Sequence, residues 1–308
     1  MLILTVNGGS TSVKLGAFRR PDAPSPQSLA SVRQEHHAGS PDPRGTLRAF
    51  LGTLDAAPAA VSHRVVHGGT RFTEPVRIDA GVEAQLRELS ALAPLHNPKA
   101  IEWIDAARAV CGPRVAQVAL FDTAFFAHLP RVAAEYALPA AAGWRLGVRR
   151  YGFHGLAHEA LWRRWSERHR EWPHGGRLIT LQLGGGCSMA AIDRGRPLDT
   201  TMGFSPLEGL VMATRSGDVD PAAVPFLARK LGITADRVVE LMNHESGLLG
   251  VSGTSGDLRE LLEESARQST AAQFAVELYC YRARKSVGAL LAVLGGCDGI
   301  VFGGGVGE

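Results

Sequence analysis

Cysteine is scarce. The four in the chain, Cys111, Cys187, Cys280 and Cys297, form no Cys-x-x-Cys pair and are too few for a disulfide scaffold, so they read as reduced, partly buried thiols. Aromatic residues make up 6%, and no basic stretch interleaves with them. With 33 Lys and Arg against 30 Asp and Glu, the net charge is only +3. A dedicated nucleic-acid surface is therefore not expected. No hydrophobic run approaches the roughly 20 apolar residues of a membrane span. The apolar start, Met1 to Val6, has no basic region of the kind that opens a secretory leader. The expectation is a cytoplasmic protein that acts on small molecules, with no membrane and no nucleic acid among its partners.

What is present points to an ordinary globular chain. Apolar residues are 45% and charged residues 20% of 308, enough for a core and too apolar for disorder. That length suits two domains, since single cores stop growing below about 250 to 300 residues. Glycine is in excess at 36 residues, about 12% against an ordinary 7%, and it is clustered.

The clusters follow strands. Leu2 to Val6 runs into Asn7-Gly8-Gly9-Ser10, and Val13 to Phe18 reads as the returning strand of a hairpin. Leu178 to Leu183 repeats the design, with Gly184-Gly185-Gly186-Cys187-Ser188 as the turn and Met189 to Ile192 as the return. A third strand, Ile300 to Phe302, enters Gly303-Gly304-Gly305-Val306-Gly307-Glu308. Helical spacing marks Val82 to Leu92, Pro98 to Val110, Ala157 to Arg168, Ala222 to Leu231 and Ala271 to Leu294. Alternating strands and helices with a repeated hairpin predict a duplicated α/β fold. The boundary is expected near Arg149 and Arg150, giving domains 1–149 and 150–308. Pro21 to Pro58, rich in Pro, Ala and Gly, reads as a surface excursion from the first domain.

Glycine turns after buried strands are natural phosphate cradles, because backbone N–H groups can converge on an anion where no Cβ intervenes. None of the three matches the P-loop or the dinucleotide fingerprint, so both standard nucleotide folds are disfavoured. Several charged residues stand in apolar or glycine surroundings. Arg64, in Ser62-His63-Arg64-Val65-Val66-His67-Gly68-Gly69, is expected at the start of a strand, where burial demands an anionic partner, a structural carboxylate or a substrate. Asp122 follows Val118 to Phe121 at a strand end, as a ligand-binding acid or a helix cap. His154 lies between glycines beside Tyr151 and Phe153, and its i, i+4 pair with His158 lacks the metalloprotease Glu. The dense segment Met202 to Pro221 predicts a loop and a helix ending in Arg215-Ser216-Gly217-Asp218. Arg215 is then an anion clamp or a surface cation paired with Asp218 or Asp220.

Taken together, Val6 to Lys14, His63 to Gly69, Pro94-Leu95-His96-Asn97-Pro98, Phe121 to Phe125, Arg150 to Gly155, Met202 to Pro221, Ser252-Gly253 with Asp257-Leu258-Arg259, and Gly305 to Glu308 occur in order along almost the whole chain. As a set they resemble the acetokinase (acetate kinase) family. The resemblance implies the duplicated fold of the sugar kinase, actin and chaperone-ATPase superfamily, with nucleotide in a cleft between the domains, and a homodimer. It implies reversible, Mg²⁺-dependent phosphoryl transfer from ATP to acetate, giving acetyl phosphate and ADP, with Mn²⁺ as a substitute metal. Arg64, Arg215, His154 and Asp122 are then the catalytic residues, and Asn7 helps to place the metal. Lys14, Gln182, Leu183, Gly184, Gly185, Gly186, Gly305, Val306, Gly307 and Glu308 belong to the nucleotide-phosphate site. Asp257, Leu258 and Arg259 flank the adenosine, and Val66, Leu95, Phe153 and Pro206 enclose the acetate methyl.

Departures from the family pattern accompany these matches. Gln182 and Gly185 stand where the family has His and Asn, Leu156 and Ala157 replace hydroxyl residues after His154-Gly155, and Phe126 replaces a histidine. The sequence stops at Glu308, before the C-terminal segment that carries the family's metal-binding glutamate, and it looks clipped and impaired for that reason. Two alternatives follow: a propionate or butyrate kinase, and a nucleotide-binding relative that acts as a sensor or scaffold without turnover.

Overall fold

The structure is a computed structural model that describes residues 1–9, 12–19, 27–35 and 42–307, the side chain of Glu35 excepted. Ser10 and Thr11 of the first glycine turn and Glu308 of the last lie outside the described residues. The chain divides into two compact units, Met1–Ala124 and Phe125–Glu308.

In the first unit, strands β1 (Leu2–Gly8), β2 (Ser12–Arg19) and β3 (Gln27–Glu35) precede helix α1 (Pro43–Leu51) and strands β4 (Ala60–Val65) and β5 (Val76–Arg77). Helices α2 (Ala80–Glu88) and α3 (Asn97–Cys111) then lead to β6 (Ala116–Phe121). The sheet order is β3-β2-β1-β4-β6-β5. β1 and β2 form the expected antiparallel hairpin, while β4 lies parallel to both β1 and β6. Period-2 burial along β1 puts Leu2, Leu4 and Val6 inside. α3 serves two clusters: Trp103, Ala106 and Ala107 pack with β1 and β2, whereas Ala100, Ile101 and Ile104 pack with Val65, Ala119 and Phe121.

The described part of Pro21 to Pro58 is not an excursion. β3 extends the sheet by pairing with β2. α1 starts at Pro43 behind an Asp42 cap and buries Leu47 and Phe50 in the core. Each such side chain stabilises by about 1.5 to 3 kcal/mol. The segment's Pro and Gly content concealed a short helix whose apolar face is Leu47 and Phe50, with Leu51 packed beside them.

The second unit holds α4 (Arg131–Ala134), α5 (Gly155–Arg168), β7 (Arg177–Leu183), β8 (Cys187–Asp193) and β9 (Arg196–Thr200). These are followed by α6 (Ala223–Leu231), α7 (Ala235–His244), α8 (Gly247–Ser252), α9 (Leu258–Ala266), α10 (Thr270–Leu294) and β10 (Gly299–Gly303). The sheet order is β10-β7-β8-β9, with β7-β8 antiparallel and β10 parallel to β7. The same plan therefore occurs twice: an antiparallel meander whose first strand, β1 or β7, takes a parallel neighbour, β4 or β10. Residues 125–149 belong to the second unit, whereas the sequence places the domain boundary near Arg149. Phe126, Leu129 and Ala134 pack there with Leu178, Ala190 and Ile192. No helix among the described residues is long and apolar enough to cross a membrane.

Met202 to Pro221 contains no helix, contrary to expectation. Its backbone hydrogen bonds go sideways instead. Leu248, Leu249 and Ser246 donate to the carbonyls of Met212, Ala213 and Thr214, and Ser216 N–H donates to Met242. Gly247 permits this approach, because at its φ of 62° a Cβ would lie 2.3 Å from the Met212 oxygen.

Candidate active site

Each unit carries its own cluster of expected site residues. In the first unit, Arg64 is the penultimate residue of β4 rather than its first, and Asp122 follows β6, the neighbouring parallel strand. Strand carboxyl ends are where α/β sheets collect ligand-binding groups. Arg64 Nε donates to Asp122 Oδ1 and Oδ2 at 2.9 and 3.0 Å, and Nη2 donates to Oδ2 at 2.5 Å. Nη1 donates to Asn7 Oδ1 at 3.0 Å. The carboxylate is 2% exposed and the guanidinium side chain 23%. Burial works against the charge of Arg64, but Asp122 holds its pKa above the ordinary value by charge and hydrogen bonding. Of the two partners foreseen for Arg64, the structural carboxylate is present. Three of the five N–H groups are engaged by Asp122 and Asn7, which leaves two directed elsewhere.

Lys14 pairs with Asn7 across the β1-β2 ladder, which puts both side chains on one face. Val66 is buried and Leu95 is 45% exposed. Asn97 ties their segments together: its Nδ2 donates to the His67 carbonyl at 3.0 Å, and its Oδ1 accepts from His67 N–H at 3.2 Å. His63 and His67 are buried nearby in the chain, and burial lowers each to a pKa of about 4. The buried, hydrogen-bonded Asn97 was not foreseen as part of this corner.

In the second unit, two glycine turns meet. β10 runs parallel to β7 with Gly303 opposite Gln182, and Val306 N–H donates to the Leu183 carbonyl at 3.0 Å. Gly184 to Gly186 and Gly304 to Gly307 thus sit side by side at the carboxyl ends of two parallel strands. Gln182 reaches the second turn, since a Cβ on Gly304 would lie 2.7 Å from its Nε2. At Gly185 a Cβ would meet nothing within 4 Å, whereas at Gly186 it would stand 3.3 Å from Arg215 Nη1 and 3.4 Å from His154 Nε2. Two side-chain nitrogens therefore converge on the space beside Gly186.

Arg215 is held by the strap just described, and its Nη1 donates to the Pro206 carbonyl at 3.3 Å. Asp218 and Asp220 accept instead from Gly209 and Ala222 N–H, so both carboxylates brace turns. The Pro206 segment is clasped from below: Arg150 donates to Glu208 at 2.6 Å and to the Thr200 carbonyl at 2.9 Å, and Tyr136 donates to Glu208. This clasp left no local signal in the sequence, because its members are scattered between positions 136 and 208.

His154 precedes α5 in a left-handed conformation, φ 58°, and makes no side-chain cap bond. The hydroxyls missing at Leu156 and Ala157 leave that helix start uncapped by its neighbours. The His154 ring turns to Ser188, with Nδ1 2.9 Å from Oγ, and His158 Nε2 lies 2.8 Å from the same oxygen. The two histidines share a hydroxyl. Phe153 is 1% exposed, and Phe126 packs edge-on against His158. Asp257 caps α9 through Arg259 N–H and pairs with the exposed Arg259 side chain at 2.8 Å, with Leu258 as the first helical residue. A Cβ on Gly256 would lie 2.9 Å from the Ala213 carbonyl, and Ala213 N–H donates to Gly185, so this helix start adjoins the glycine turns.

The profile described as Acetokinase family matches residues 45–308. An acetate kinase of Heliobacterium modesticaldum is 48% identical over 250 residues, 81% of this chain and 62% of its own length. The chain thus spans less than two thirds of that curated relative. The crystal structure of Porphyromonas gingivalis acetate kinase superposes with a TM-score of 0.87 at 37% identity, covering 100% of this chain and 84% of the other. A propionate kinase from Francisella tularensis has the same TM-score and coverages at 33% identity. The expected fold is the fold of these proteins.

Proposed function

The chain belongs to the acetokinase family, and we propose that it transfers the γ-phosphoryl group of ATP reversibly to acetate, giving acetyl phosphate and ADP. The observation that carries this reading is the convergence of Arg215 Nη1 and His154 Nε2 beside Gly186. A transferring phosphoryl group spreads charge over three equatorial oxygens, and preorganised donors aimed at that charge lower the barrier. Arg215 and His154 are assigned to those oxygens. The turns Gly184 to Gly186 and Gly305 to Glu308, with Gln182, Leu183 and Lys14, are assigned to the nucleotide phosphates. Asp257, Leu258 and Arg259 are assigned to the adenosine.

Acetate, with a pKa of about 4 to 5 like other carboxylic acids, is ionised at neutral pH and needs no general base. Asp122, with both oxygens on Arg64, orders that guanidinium for the anionic reactants. Val66, Leu95, Phe153 and Pro206 are assigned to the methyl group.

Mg²⁺, or Mn²⁺ in its place, neutralises phosphate charge when bound with the nucleotide. Such an ion keeps most of its waters and leans on phosphates, so it needs no closed protein cage. The described residues hold no group of three His, Cys, Asp or Glu suited to a metal, and the side-chain oxygens of Asn7 and Asp122 accept from Arg64. Asn7 is the residue assigned to the metal. The same family reading makes the protein a cytoplasmic homodimer.

The reverse reaction tests the proposal. The protein is incubated with acetyl phosphate and Mg-ADP, and ATP is measured. Formation of ATP above the protein-free rate supports a kinase. Binding of ADP without any ATP formation contradicts it and favours the sensor reading.

A further inference from the structure

The turn after β7 keeps its carbonyls occupied. Leu183 C=O accepts from Val306 N–H at 3.0 Å, Gly185 C=O from Ala213 N–H at 3.1 Å, and Gly186 C=O from Gly184 N–H at 3.1 Å. The Gly184 carbonyl has no backbone donor among the described residues, and a side chain takes that place: Cys187 Sγ lies 3.3 Å from it. The N–H groups of Gly185 and Gly186, by contrast, have no protein acceptor among the described residues. All four carbonyls are engaged, and two amides are not.

The sulfur is itself held. Cys187 opens β8 at 1% exposure, and its Sγ lies 3.3 Å from the hydroxyl of Tyr279 on α10. Tyr279 shares the buried face of that helix with Ala272 and Ala275, at the i, i+3, i+7 spacing of one helical stripe. Burial raises the thiol and the phenol above their ordinary pKa values, so each keeps its hydrogen at neutral pH. A carbonyl has no hydrogen to give. The thiol hydrogen therefore lies on the Gly184 bond, and the sulfur accepts from Tyr279 O–H.

The carbonyl of Gly184 and the N–H of Gly185 belong to one planar trans peptide and point in opposite directions. Whatever fixes the carbonyl also aims the amide. Ala213 N–H does this for the next peptide, through the Gly185 carbonyl. Glycine on both sides would otherwise let the 184–185 plane rotate freely. We propose that Tyr279 and Cys187 are positioning residues that brace the Gly184 carbonyl inward and so keep the Gly185 amide aimed at the nucleotide phosphates. This role rests on the assignment of the turn to those phosphates made above.

Mg-ADP and adenosine, which lacks phosphate, are titrated separately into the full chain. Tyr279→Phe removes the hydroxyl and keeps the ring. Because thiol hydrogen bonds are weak, the Kd for Mg-ADP is expected to rise about three- to tenfold in folded Tyr279→Phe, while that for adenosine stays within twofold. Cys187→Ala shows the same split, the double variant is no weaker than Cys187→Ala, and Cys187→Ser recovers most of the loss. Unchanged Mg-ADP affinity in folded Tyr279→Phe and Cys187→Ala overturns the brace, as do equal losses for adenosine or losses that add in the double variant. An unmodified protein that binds no Mg-ADP refutes the assignment of the turn, and the brace falls with it. One that binds Mg-ADP without forming ATP from acetyl phosphate refutes the kinase reading and leaves the brace standing.

Discussion

Arg64 and Asp122 hold each other through both carboxylate oxygens from the ends of adjacent parallel strands, with Arg64 Nη1 bound to Asn7. The acid is nearly sealed from solvent and the base partly open. On the proposed reading, Asp122 acts on the reaction through Arg64, by fixing where the guanidinium points.

Asp122→Ala leaves that guanidinium without its counter-charge. Breaking a buried pair costs about 3 to 5 kcal/mol, less here because Arg64 keeps some contact with water. Chemical denaturation is expected to show a loss of about 2 to 4 kcal/mol, together with at least a hundredfold fall in turnover. Wild-type turnover in a destabilised Asp122→Ala would refute the positioning role.

Two neighbouring glycines make opposite predictions. Gly185→Ala meets open space among the protein atoms and is expected to leave stability and kcat within twofold, while its methyl, on the turn assigned to the nucleotide phosphates, raises KM for ATP. Gly186→Ala places a methyl 3.3 Å from Arg215 Nη1 and is expected to cut kcat at least tenfold while the protein stays folded. Equal effects in a steady-state assay would show that the space beside Gly186 is not where the reaction occurs.

Acid should weaken the first unit before it reaches the carboxylates. His63 and His67 fall from 6.5 to about 4 on burial, so between those values the unfolded chain binds more protons than the folded one. Stability therefore rises with pH across this window and is lost as pH falls, by about 3 kcal/mol per histidine in full. Burial raises the Asp199 and Asp218 carboxyls, which act in the opposite sense lower in the range. The slope is best read above about pH 5. Denaturation at several pH values should give a slope approaching two protons, reduced to one in His63→Gln. A flat profile contradicts the burial of neutral histidines.

Chain-length selectivity should be modest. One methylene in an apolar pocket is worth about 1 to 3 kcal/mol, so propionate is expected to react with kcat/KM about 10- to 200-fold below acetate. A kinetic series from acetate to butyrate checks this. An optimum at three or four carbons would replace acetate by the longer acid.

Much of this was legible in the sequence because it is local. A hairpin with a glycine tip, written once at Val6 and again at Leu183, is a pattern of neighbours, and it fixed both sheets. Arg64, Asp122, His154 and Arg215 stood out because each sits in surroundings that do not suit a charge or a lone imidazole. The strap that carries Arg215 was misread as a helix, since its hydrogen bonds go to residues 242–249, which no local periodicity reveals. Ser188 and Thr180 were missed as partners of His154 and His158 for the same reason. Both lie on the apolar face of strands, where a hydroxyl reads as filler until the imidazoles opposite are known.

On the proposed function, this chain phosphorylates acetate with donors drawn from Arg64 and from Arg215 with His154. Trapping acyl phosphate as the hydroxamate, with Mg-ATP and acetate, tests it most directly in the unmodified protein and in folded Arg64→Ala and Arg215→Ala. The account predicts acetate-dependent product that falls at least a hundredfold in each variant. Product formation unaffected by either substitution, or no product from an unmodified protein that still binds ATP, would contradict it.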